Sequence, residues 1–446
     1  MATPSPFTTP SPSTVLRCDV LVVGAGPAGL ATAQAAIQGR QSVILIDDNP
    51  KAGGQIWRQG PFHTLPPMAK RYLSVLSEDV LIYLPGCKVI AVDSQCVIVE
   101  TVGKHRMIHY QRIVLCTGAK EKLLPFPGWT LPGVTGAGGL QAMIKSGLPM
   151  TGERVVIAGS GPLLLAVAKT VKKAGGNVVG IIEQAPLHRL LSFGLRLLRW
   201  PNKLHQAITL TPLKNYYKNS MVLGVETSAE GRLTGVHISN KGQKQKLSCT
   251  RLACGFGLRP NTELAQLLGC LLDEQGNIQV DTWQQTTIPD VYAAGECTGI
   301  GGSELALCEG FIAGFTVSSK YALAEKWQQK RVKWQHFATV VAKAFKLNKE
   351  ITQSLPLDTL ICRCEDVSLN ELEPFQDWNS AKMATRCGMG ACQGKICSAI
   401  LHDIKHWAIP SPRIPLSPVS LETLATEFSL QERHTARDRK KINFSD

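Results

Sequence analysis

The sequence predicts an α/β protein built from two β–α–β units and a small cysteine-rich domain near the C-terminus. Three observations predict this fold class. A glycine-rich turn follows the apolar run 20–23, a similar arrangement begins 135 residues later, and five of the fourteen cysteines lie within 362–397. A buried strand, a glycine turn and a helix in that order are typical of a Rossmann-like unit. Two such units and a third domain also suit a length of 446 residues.

Composition and charge exclude several classes of protein. With 44% hydrophobic and 18% charged residues, the chain is typical of globular rather than disordered proteins. The formal net charge of +14 favours acidic partners, but no block of Lys and Arg is interleaved with aromatic residues, so we expect no nucleic-acid partner. The long uncharged run 20–38 is interrupted by glycines and a proline, so we expect no transmembrane segment; peripheral membrane contact through partners stays open. Residues 1–14 are rich in Ser, Thr and Pro, which predicts a disordered leader rather than a signal peptide.

The first glycine-rich turn has the residues that a dinucleotide site requires. Gly24 permits a tight turn, Gly26 lets the backbone approach a pyrophosphate, and Gly29 lets the helix lie close to the strand. The start of the following helix presents unpaired N–H groups to that pyrophosphate. Asp47, 23 residues after Gly24, is placed to accept hydrogen bonds from a ribose. The predicted turn residues are Gly24, Gly26, Pro27, Ala28 and Gly29.

Two later segments indicate that this dinucleotide is FAD. In flavoproteins with two such units, a late strand returns to the first domain and directs a helix N-terminus at the flavin. The run 290–294 leads into Gly295 and Glu296 in that way, and Thr117 with Gly118 would mark the crossing towards the second unit. The alternative is that both segments are ordinary turns at strand ends.

The loop after the first unit contains no cysteine, and the whole sequence has no CxxC motif. This argues against a thiol–disulfide reductase. We interpret residues 52–58 as a loop close to the flavin, with Gly54, Gln55 and Arg58 as its contacts; a surface turn is the alternative.

The second glycine turn comprises Gly159, Gly161 and Pro162, with Leu164 at the position of the third glycine. Glu183 lies 24 residues after Gly159 and suits a ribose without a 2′-phosphate. We therefore expect NAD or another adenine nucleotide here. The alternative is a domain that keeps the fold and binds no nucleotide.

The C-terminal cysteines form a CxC pair followed by three thiols with small residues between them. Four thiolates suit a [2Fe–2S] cluster or zinc, but zinc sites usually space their ligand pairs by two to four residues, which these spacings fit poorly. Free thiols are the third alternative. We expect a cytoplasmic protein, and in a reducing cytosol such a cluster of thiols indicates metal ligands before disulfides.

Longer motifs resemble those of one family. They lie at residues 24–29, 53–58, 126–134, 159–162, 254–261, 295–302 and 387–394. Their order resembles the FAD- and [2Fe–2S]-containing large subunits of heteromeric bacterial amine dehydrogenases, a family that includes the corresponding subunits of hydrogen cyanide synthase, opine oxidase and hydroxyproline dehydrogenase. The resemblance covers about residues 17–430.

The resemblance implies a two-dinucleotide-binding-domain flavoprotein with a small C-terminal [2Fe–2S] domain of the bacterioferritin-associated ferredoxin (BFD) type. Because relatives keep the last two cysteines of the motif and vary the first, it implies Cys362, Cys364, Cys392 and Cys397 as ligands, with Cys387 as a fifth thiol. It also implies two partners: a catalytic flavoprotein subunit of the amine-oxidase type and a small ferredoxin-like subunit.

These inferences together predict how the chain is divided. The expected parts are a leader at 1–14, an FAD domain at 15–130 and 251–325, an inserted NAD or nucleotide domain at 131–250, a helical connector at 326–355, the BFD-like domain at 356–408 and a Pro-rich, charged tail at 409–446.

The expected function is electron relay from amine oxidation on a partner subunit to an acceptor, within an amino-acid or opine-type dehydrogenase. No catalytic residue is predicted in this chain. One alternative is a self-sufficient NADH-dependent reductase that feeds a protein acceptor through the cluster. Another is a scaffold subunit that binds nucleotide and metal.

Overall fold

The computed structural model describes residues 14–423, apart from 62–63, 94, 102–103, 211–213, 349–350, 352–354 and 422. The predicted leader before Thr14 and the charged end of the tail after Thr423 lie outside the described residues. The helices are α1 (Pro27–Gln38), α2 (Pro67–Leu73), α3 (Ala137–Lys145), α4 (Pro162–Lys173), α5 (Leu187–Arg196), α6 (Pro201–Leu210), α7 (Glu263–Leu267), α8 (Ser303–Val317), α9 (Tyr321–Ala344), α10 (Leu369–Leu372), α11 (Trp378–Thr385) and α12 (Cys397–Lys405).

The strands form five sheets in the described part of the chain. They are β1 (Thr14–Val23), β2 (Val43–Ile46), β3 (Leu81–Leu84), β4 (Lys88–Asp93), β5 (Cys96–Thr101), β6 (Lys104–Leu115), β7 (Ala119–Glu121), β8 (Val134–Gly136), β9 (Arg154–Gly159), β10 (Asn177–Glu183), β11 (Tyr216–Lys218), β12 (Ser220–Thr227), β13 (Leu233–Asn240), β14 (Gln243–Ser248), β15 (Arg251–Gly255), β16 (Leu258–Pro260), β17 (Val291–Ala293), β18 (Leu360–Cys362) and β19 (Val367–Ser368).

The first unit is built on a seven-stranded sheet in the order β3-β2-β1-β6-β5-β4, with β17 beside the end of β6. Strands β1, β2, β3, β6 and β17 are parallel, as β–α–β connections require, while β4 and β5 pair antiparallel. Helices α1 and α8 lie against each other: a Cβ built on Gly310 would be 2.3 Å from the Ala28 carbonyl oxygen. This close approach buries the alanine-rich face of α1.

The second unit has a parallel sheet in the order β11-β10-β9-β15-β8, with an antiparallel sheet β12-β13-β14 beside it. Strand β15 belongs to this sheet, because Leu252 pairs with Val156 of β9 and with Val134 of β8. The expected division placed this strand in the first domain. Its residues 252–254 form a short, buried apolar run, and such a run carries no local signal of which sheet it joins. The other expected boundaries stay predictions.

The cysteine-rich module contains the hairpin β18–β19 and helices α10–α12, and it docks on the strands that connect the two units. Asp403 of α12 accepts hydrogen bonds from Arg259 at 2.5 Å and from Lys122 at 3.1 Å. The Trp129 indole donates to the Leu360 carbonyl oxygen at 2.7 Å. The module is therefore fixed to the rest of the molecule by buried and half-buried polar contacts as well as by apolar packing.

Helix α9 connects the first unit to the second. Near its start Trp327 stacks on Phe311 with ring centroids 4.1 Å apart, and further along Phe337 lies 5.2 Å from Trp200. The predicted helical connector at 326–355 thus begins inside this helix. Across the described residues, no helix combines the length and the apolar character needed to cross a bilayer.

The predicted fold class is confirmed. The chain is a mixed α/β protein with two Rossmann-type units, and three of its C-terminal cysteines lie together in a small docked module.

Candidate cofactor sites

The first glycine turn leaves room for a ligand at one position and none at the other two. A Cβ built on Gly24 would lie 2.2 Å from the Cys116 carbonyl oxygen, and one on Gly29 would lie 1.7 Å from the Gly24 carbonyl oxygen. These two glycines therefore permit strand and helix to touch. At Gly26 a Cβ would meet only the Cα of Gly54, at 3.9 Å. Apart from the Gly54 backbone, nothing covers Gly26 at this point, so the predicted phosphate contact is sterically possible.

The start of α1 is suited to an anion. Among the described residues no side chain caps its N-terminus, and the first turn, which begins with Pro27 and Ala28, carries no acidic residue. The free N–H groups and the helix dipole favour negative charge at this end. A pyrophosphate fits this environment.

Asp47 is turned towards the glycine turn. One carboxylate oxygen accepts a hydrogen bond from Ala25 N at 2.6 Å, and the other accepts from the backbone and side-chain nitrogens of Asn49 at 2.7 and 2.9 Å. The residue is buried, with 6% of its surface exposed. The acid that follows β2 therefore also fixes the conformation of the turn.

The loop predicted to lie near the flavin contacts the glycine turn. Gly53 N donates to the Ala25 carbonyl oxygen at 2.8 Å, and a Cβ on Gly54 would lie 3.0 Å from the Gly26 Cα. Arg58 donates to the Gln55 side-chain oxygen at 2.9 Å and to that of Asn49 at 3.0 Å. The structure thus brings Gly54, Gln55 and Arg58 to the same place as Gly26 and Asp47.

Lys145 is a site residue that sequence reasoning missed. Its ammonium lies 3.2 Å from the Ile56 carbonyl oxygen and 3.4 Å from that of Gln55, so it ties α3 of the second unit to this loop. Burial, together with the nearby Arg58, lowers the pKa of Lys145 to about 8. A lysine at the end of an amphipathic helix gives no sequence signal, because most such lysines are solvated.

Thr117 and Gly118 lie where the chain crosses between the units. The Thr117 hydroxyl donates to the Asn261 carbonyl oxygen at 2.6 Å, and Asn261 N donates to the Gly118 carbonyl oxygen at 2.9 Å. The crossing continues as the short antiparallel pair β7–β16. Thr117 and Gly118 therefore lie at the start of one of the two paired strands that connect the units.

Gly295 adjoins the start of α1, since a Cβ built on it would lie 2.7 Å from the Ala28 Cβ. Its N–H donates to the Glu309 carboxylate at 2.9 Å, and the Thr298 hydroxyl donates to the same oxygen at 3.0 Å. Burial raises the pKa of Glu309 to about 7, although Arg331 lies 3.7 Å away and opposes the shift. Burial also raises the pKa of the half-buried Glu296.

Glu309 was also missed, although the sequence carries a signal for it. It is an acidic residue in the middle of a helix that is otherwise buried and apolar from Leu305 to Val317. A charged residue at such a position requires buried hydrogen-bond donors. Its donors are the turn at Gly295 and the neighbouring Thr298.

The second turn is constructed like the first, and its acidic residue, Glu183, accepts hydrogen bonds from three neighbouring groups of the same unit. Gly161 has φ +101, and its N–H donates to Glu183 at 2.8 Å. The other Glu183 oxygen accepts from the Ser160 hydroxyl and from Ala185 N, both at 2.9 Å. Glu183 is fully buried, and burial raises its pKa. A Cβ built on Gly159 would lie 1.9 Å from the Gly255 carbonyl oxygen, and Pro162 begins α4.

The cysteine module brings three thiols together. The sulfurs of Cys362, Cys387 and Cys397 all lie within 4.8 Å of one another, and all three residues are buried. Cys364 is exposed and Cys392 is partly exposed, and neither belongs to this group. The structure therefore joins two of the four predicted ligands to the thiol that the prediction left aside.

One of the remaining two thiols, Cys364, lies against the loop that carries the other, Cys392. The Cys364 Sγ lies 3.3 Å from a Cβ built on Gly390, so the loop between Cys387 and Cys397 passes directly over it. Gly388 has φ +82, and a Cβ there would meet the Trp378 ring at 2.5 Å. Thiolates are the ligands that iron–sulfur clusters and zinc require, so this donor set fits such a metal centre.

The sequence of residues 18–310 matches the family described as pyridine nucleotide-disulphide oxidoreductase. The chain belongs to this family. Family membership makes it a flavin-binding oxidoreductase, which agrees with the open glycine turn of the first unit.

Two curated relatives extend the match to nearly the whole chain. The chain is 30% identical to the HcnB subunit of hydrogen cyanide synthase from Pseudomonas protegens, over 90% of this chain and 96% of that protein. It is 28% identical to a subunit of opine oxidase from Rhizobium meliloti, over 96% of this chain and 90% of that protein. The resemblance to these subunits inferred from the motifs is confirmed, and both relatives are, by name, subunits of larger enzymes.

A solved structure has the same fold. L-proline dehydrogenase from P. horikoshii matches with a TM-score of 0.65 and 19% identity, over 93% of this chain and 80% of that chain. At this identity the comparison supports the fold alone. Its extent includes the cysteine module as well as the two units.

Proposed function

We propose that this chain is the FAD- and [2Fe–2S]-containing subunit of a heteromeric amino-acid or opine-type dehydrogenase, and that it relays electrons from amine oxidation on a partner subunit to an acceptor. One observation carries the proposal: the cysteine module is docked on β7 and β16, the two short strands that connect the first unit, which contains the open glycine turn, to the second unit. Lys122 and Arg259, which hold Asp403 of the module, lie a few residues from Gly118 and Asn261. The same short strands, β7 and β16, therefore lie between the two candidate cofactor sites.

In this proposal the residues of the first unit hold FAD. Gly26 and the start of α1 bind the pyrophosphate, Asp47 binds the ribose, and Gly295 with Glu296 lies beside the flavin end. The further contacts are Gly24, Pro27, Ala28, Gly29, Gly54, Gln55, Arg58, Thr117 and Gly118. FAD, when bound, supplies a two-electron acceptor, and a [2Fe–2S] cluster supplies a one-electron carrier.

The proposed cluster ligands are Cys362, Cys364, Cys392 and Cys397. Cys362 and Cys397 already lie together, and Cys364 is in contact with the loop that carries Cys392. Cys387 competes for the place of Cys392, because it lies beside the first two thiols.

The proposed partners are a catalytic flavoprotein subunit of the amine-oxidase type and a small ferredoxin-like subunit. The names of the relatives, which are subunits of a hydrogen cyanide synthase and of an opine oxidase, support a substrate with a CH–NH or CH–NH₂ group. All fourteen cysteines are free, which supports a cytoplasmic location.

The cluster and its ligands are tested by a matched pair of cysteine variants. We expect Cys392→Ser to lose its iron, its acid-labile sulfide and the paramagnetic signal after dithionite, whereas Cys387→Ser keeps all three. The two residues lie five positions apart on one loop, so Cys387→Ser controls for damage to the loop. The reverse result would make Cys387 the ligand, and wild-type protein without labile sulfide would refute the cluster.

The relay is tested on the complex purified with its partner subunits. Amines such as glycine, proline, hydroxyproline and opines are supplied with an artificial dye, and flavin reduction is followed separately from dye reduction. We expect Cys392→Ser to keep substrate-dependent flavin reduction and to lose most electron transfer to the acceptor. Anaerobic bleaching of the flavin of the isolated chain by NADH within one turnover would contradict the proposal and support an NADH-dependent reductase.

A further inference from the structure

The segment that follows α9 lies on the second glycine turn. We name residues 345–348 the strap. The Ser160 hydroxyl of the turn shares its proton between a Glu183 oxygen at 2.9 Å and the Phe345 carbonyl oxygen at 3.2 Å. The Phe345 ring lies over Gly161: its Cγ is 3.7 Å from a Cβ built on that glycine. The strap therefore contacts the turn through both its backbone and its aromatic ring.

Gln184 holds the strap from the side of the sheet. Its amide nitrogen donates to the Lys346 carbonyl oxygen at 3.1 Å, and its amide oxygen accepts from Asn348 N at 2.8 Å. The same amide nitrogen also donates to the Ser160 hydroxyl at 3.0 Å. Gln184 is buried, with 7% of its surface exposed, so both ends of a buried amide are satisfied by the strap and the turn.

Helix α5 holds the strap from the opposite side. The Phe193 ring packs edge-on against Phe345 with centroids 5.0 Å apart, and Arg189 donates to the Lys346 carbonyl oxygen at 3.3 Å. Four hydrogen bonds to the second unit thus fix three consecutive peptide groups of the strap.

A dinucleotide needs the space that the strap fills. The second glycine of such a turn has no side chain so that a pyrophosphate can approach the backbone, and the phosphate then lies at the helix N-terminus. At Gly26 of the first unit this space is open except for Gly54. At Gly161 the Phe345 Cγ and Cβ lie 3.7 and 3.8 Å from the built Cβ, and the Phe345 carbonyl oxygen lies 3.2 Å from the Ser160 hydroxyl. Both the ring and the backbone of the strap therefore stand where a pyrophosphate would approach this turn.

We propose that the strap is the resident occupant of the second nucleotide site and that this chain binds no pyridine dinucleotide there. The second unit is then a structural domain that anchors the end of α9 ahead of the cysteine module. The proposal does not rest on the relay function, since it concerns binding at a site that the relay does not use.

The first test measures binding to the full-length wild-type chain. NADH is titrated to a concentration on the order of 1 mM, at the upper end of ordinary enzyme affinities, and bound nucleotide is measured by equilibrium dialysis. Hydrogen exchange of the Asn348 amide, which donates to Gln184, is followed in the same samples. We expect no saturable binding and slow exchange that NADH leaves unchanged. Saturable binding at one NADH per chain, or fast exchange of this amide without nucleotide, would overturn the proposal.

The second test uses two phenylalanine variants of the same helix and its exit. Phe345→Ala removes the ring from Gly161, whereas Phe337→Ala removes a ring that packs on Trp200 away from the turn. We expect saturable NADH binding with a dissociation constant on the order of 0.1 mM in Phe345→Ala, because the ring is removed, and no binding up to about 1 mM in Phe337→Ala, as in the wild type. If both variants fold, judged by circular dichroism, and neither or both bind NADH, the strap is not what excludes the nucleotide.

Discussion

In each of the two glycine turns of this molecule, a backbone N–H donates to an acidic residue at the end of the next strand. The two turns differ in which residues cover their central glycine. Asp47 accepts a hydrogen bond from the first turn at 2.6 Å, and Glu183 accepts one from the second turn at 2.8 Å. Above Gly26 there is open space bounded by Gly54, whereas above Gly161 there is the Phe345 ring. The same local motif therefore produces an open cradle in one unit and a filled one in the other.

This difference shows that a glycine motif specifies the turn and not its occupant. The turn arises from contacts within about two dozen residues, as in the bond between Asp47 and Ala25. The occupant of the second turn comes from Phe345, which is 185 residues from its partner Ser160. Binding at such a motif thus depends on distant parts of the chain.

The largest expected effect concerns the third position of the motif, where the first unit has Gly29 and the second has Leu164. A Cβ at Gly29 would lie 1.7 Å from the Gly24 carbonyl oxygen, so Gly29→Ala must displace backbone. We expect a loss of about 4 kcal/mol in the free energy of unfolding, together with loss of flavin. Urea denaturation and flavin absorbance measure the two effects.

Leu164→Met provides the control in the second unit, because it preserves volume at a fully buried position. We expect it to cost less than about 1.5 kcal/mol and to leave the flavin in place. If Gly29→Ala were equally mild, the close approach of helix and strand in the first unit would not be needed.

The parts of the first glycine turn that the sequence predicts are those whose contacts join residues close together in the sequence. Gly24, Gly26, Gly29 and Asp47 were predicted because strand, turn, helix and acid follow one another within a single unit. The sheet of β15 and the place of the strap were not predicted, because both depend on pairings between distant residues. Buried apolar strands and exit segments of helices carry no sequence signal for their partners.

The cysteine module falls between these cases. The five thiols were found from their spacing alone, since metal ligands cluster in sequence. Which of them meet depends on the path of the loop 387–397, and in the structure Cys387 rather than Cys392 lies beside Cys362 and Cys397. Loop conformation follows from tertiary packing against Trp378, which spacing does not encode.

The next effect concerns the buried acid of the first unit. The pKa of Glu309 is raised to about 7, so the folded state binds a proton that the unfolded chain releases near pH 4.5. The stabilising contribution is complete below about pH 4.5 and is lost as the pH rises through 7. Relative to Glu309→Gln, wild-type protein should therefore lose on the order of 3 kcal/mol between pH 5 and 8.

Chemical denaturation of both proteins across this pH range measures that difference. The comparison with Glu309→Gln removes the contributions of all other titrating groups, because they are common to both proteins. Parallel stability profiles for the two proteins would mean that the buried carboxylate does not titrate in this range.

A smaller and opposite pair of effects compares the two central glycines directly. Gly26→Ala adds a Cβ at φ −77 in open space, so we expect little change in stability and at least about a tenfold loss of FAD affinity. Gly161→Ala adds a Cβ at φ +101, so we expect a loss of about 1–2 kcal/mol and unchanged flavin content. Flavin titration measures the FAD affinity of both variants, and thermal unfolding measures their stability. Together they distinguish a turn that binds a ligand from a turn that the strap covers. Equal losses of flavin in both variants would contradict this distinction.

The smallest expected effect concerns the exposed hydrogen bond between Arg189 and the strap. Arg189 donates to the Lys346 carbonyl oxygen at 3.3 Å through a solvent-exposed hydrogen bond, whereas Gln184 makes its bonds to the strap from a buried position. Because water replaces an exposed hydrogen bond almost fully, Arg189→Ala should change stability by less than about 0.5 kcal/mol and leave exchange of the Asn348 amide slow. Gln184→Ala removes three hydrogen bonds and leaves space at a buried position, so it should cost about 2 kcal/mol and speed the exchange of that amide. If Arg189→Ala increased the exchange rate of the Asn348 amide as much as Gln184→Ala does, the exposed contact of Arg189 would be as important for holding the strap as the buried contacts of Gln184.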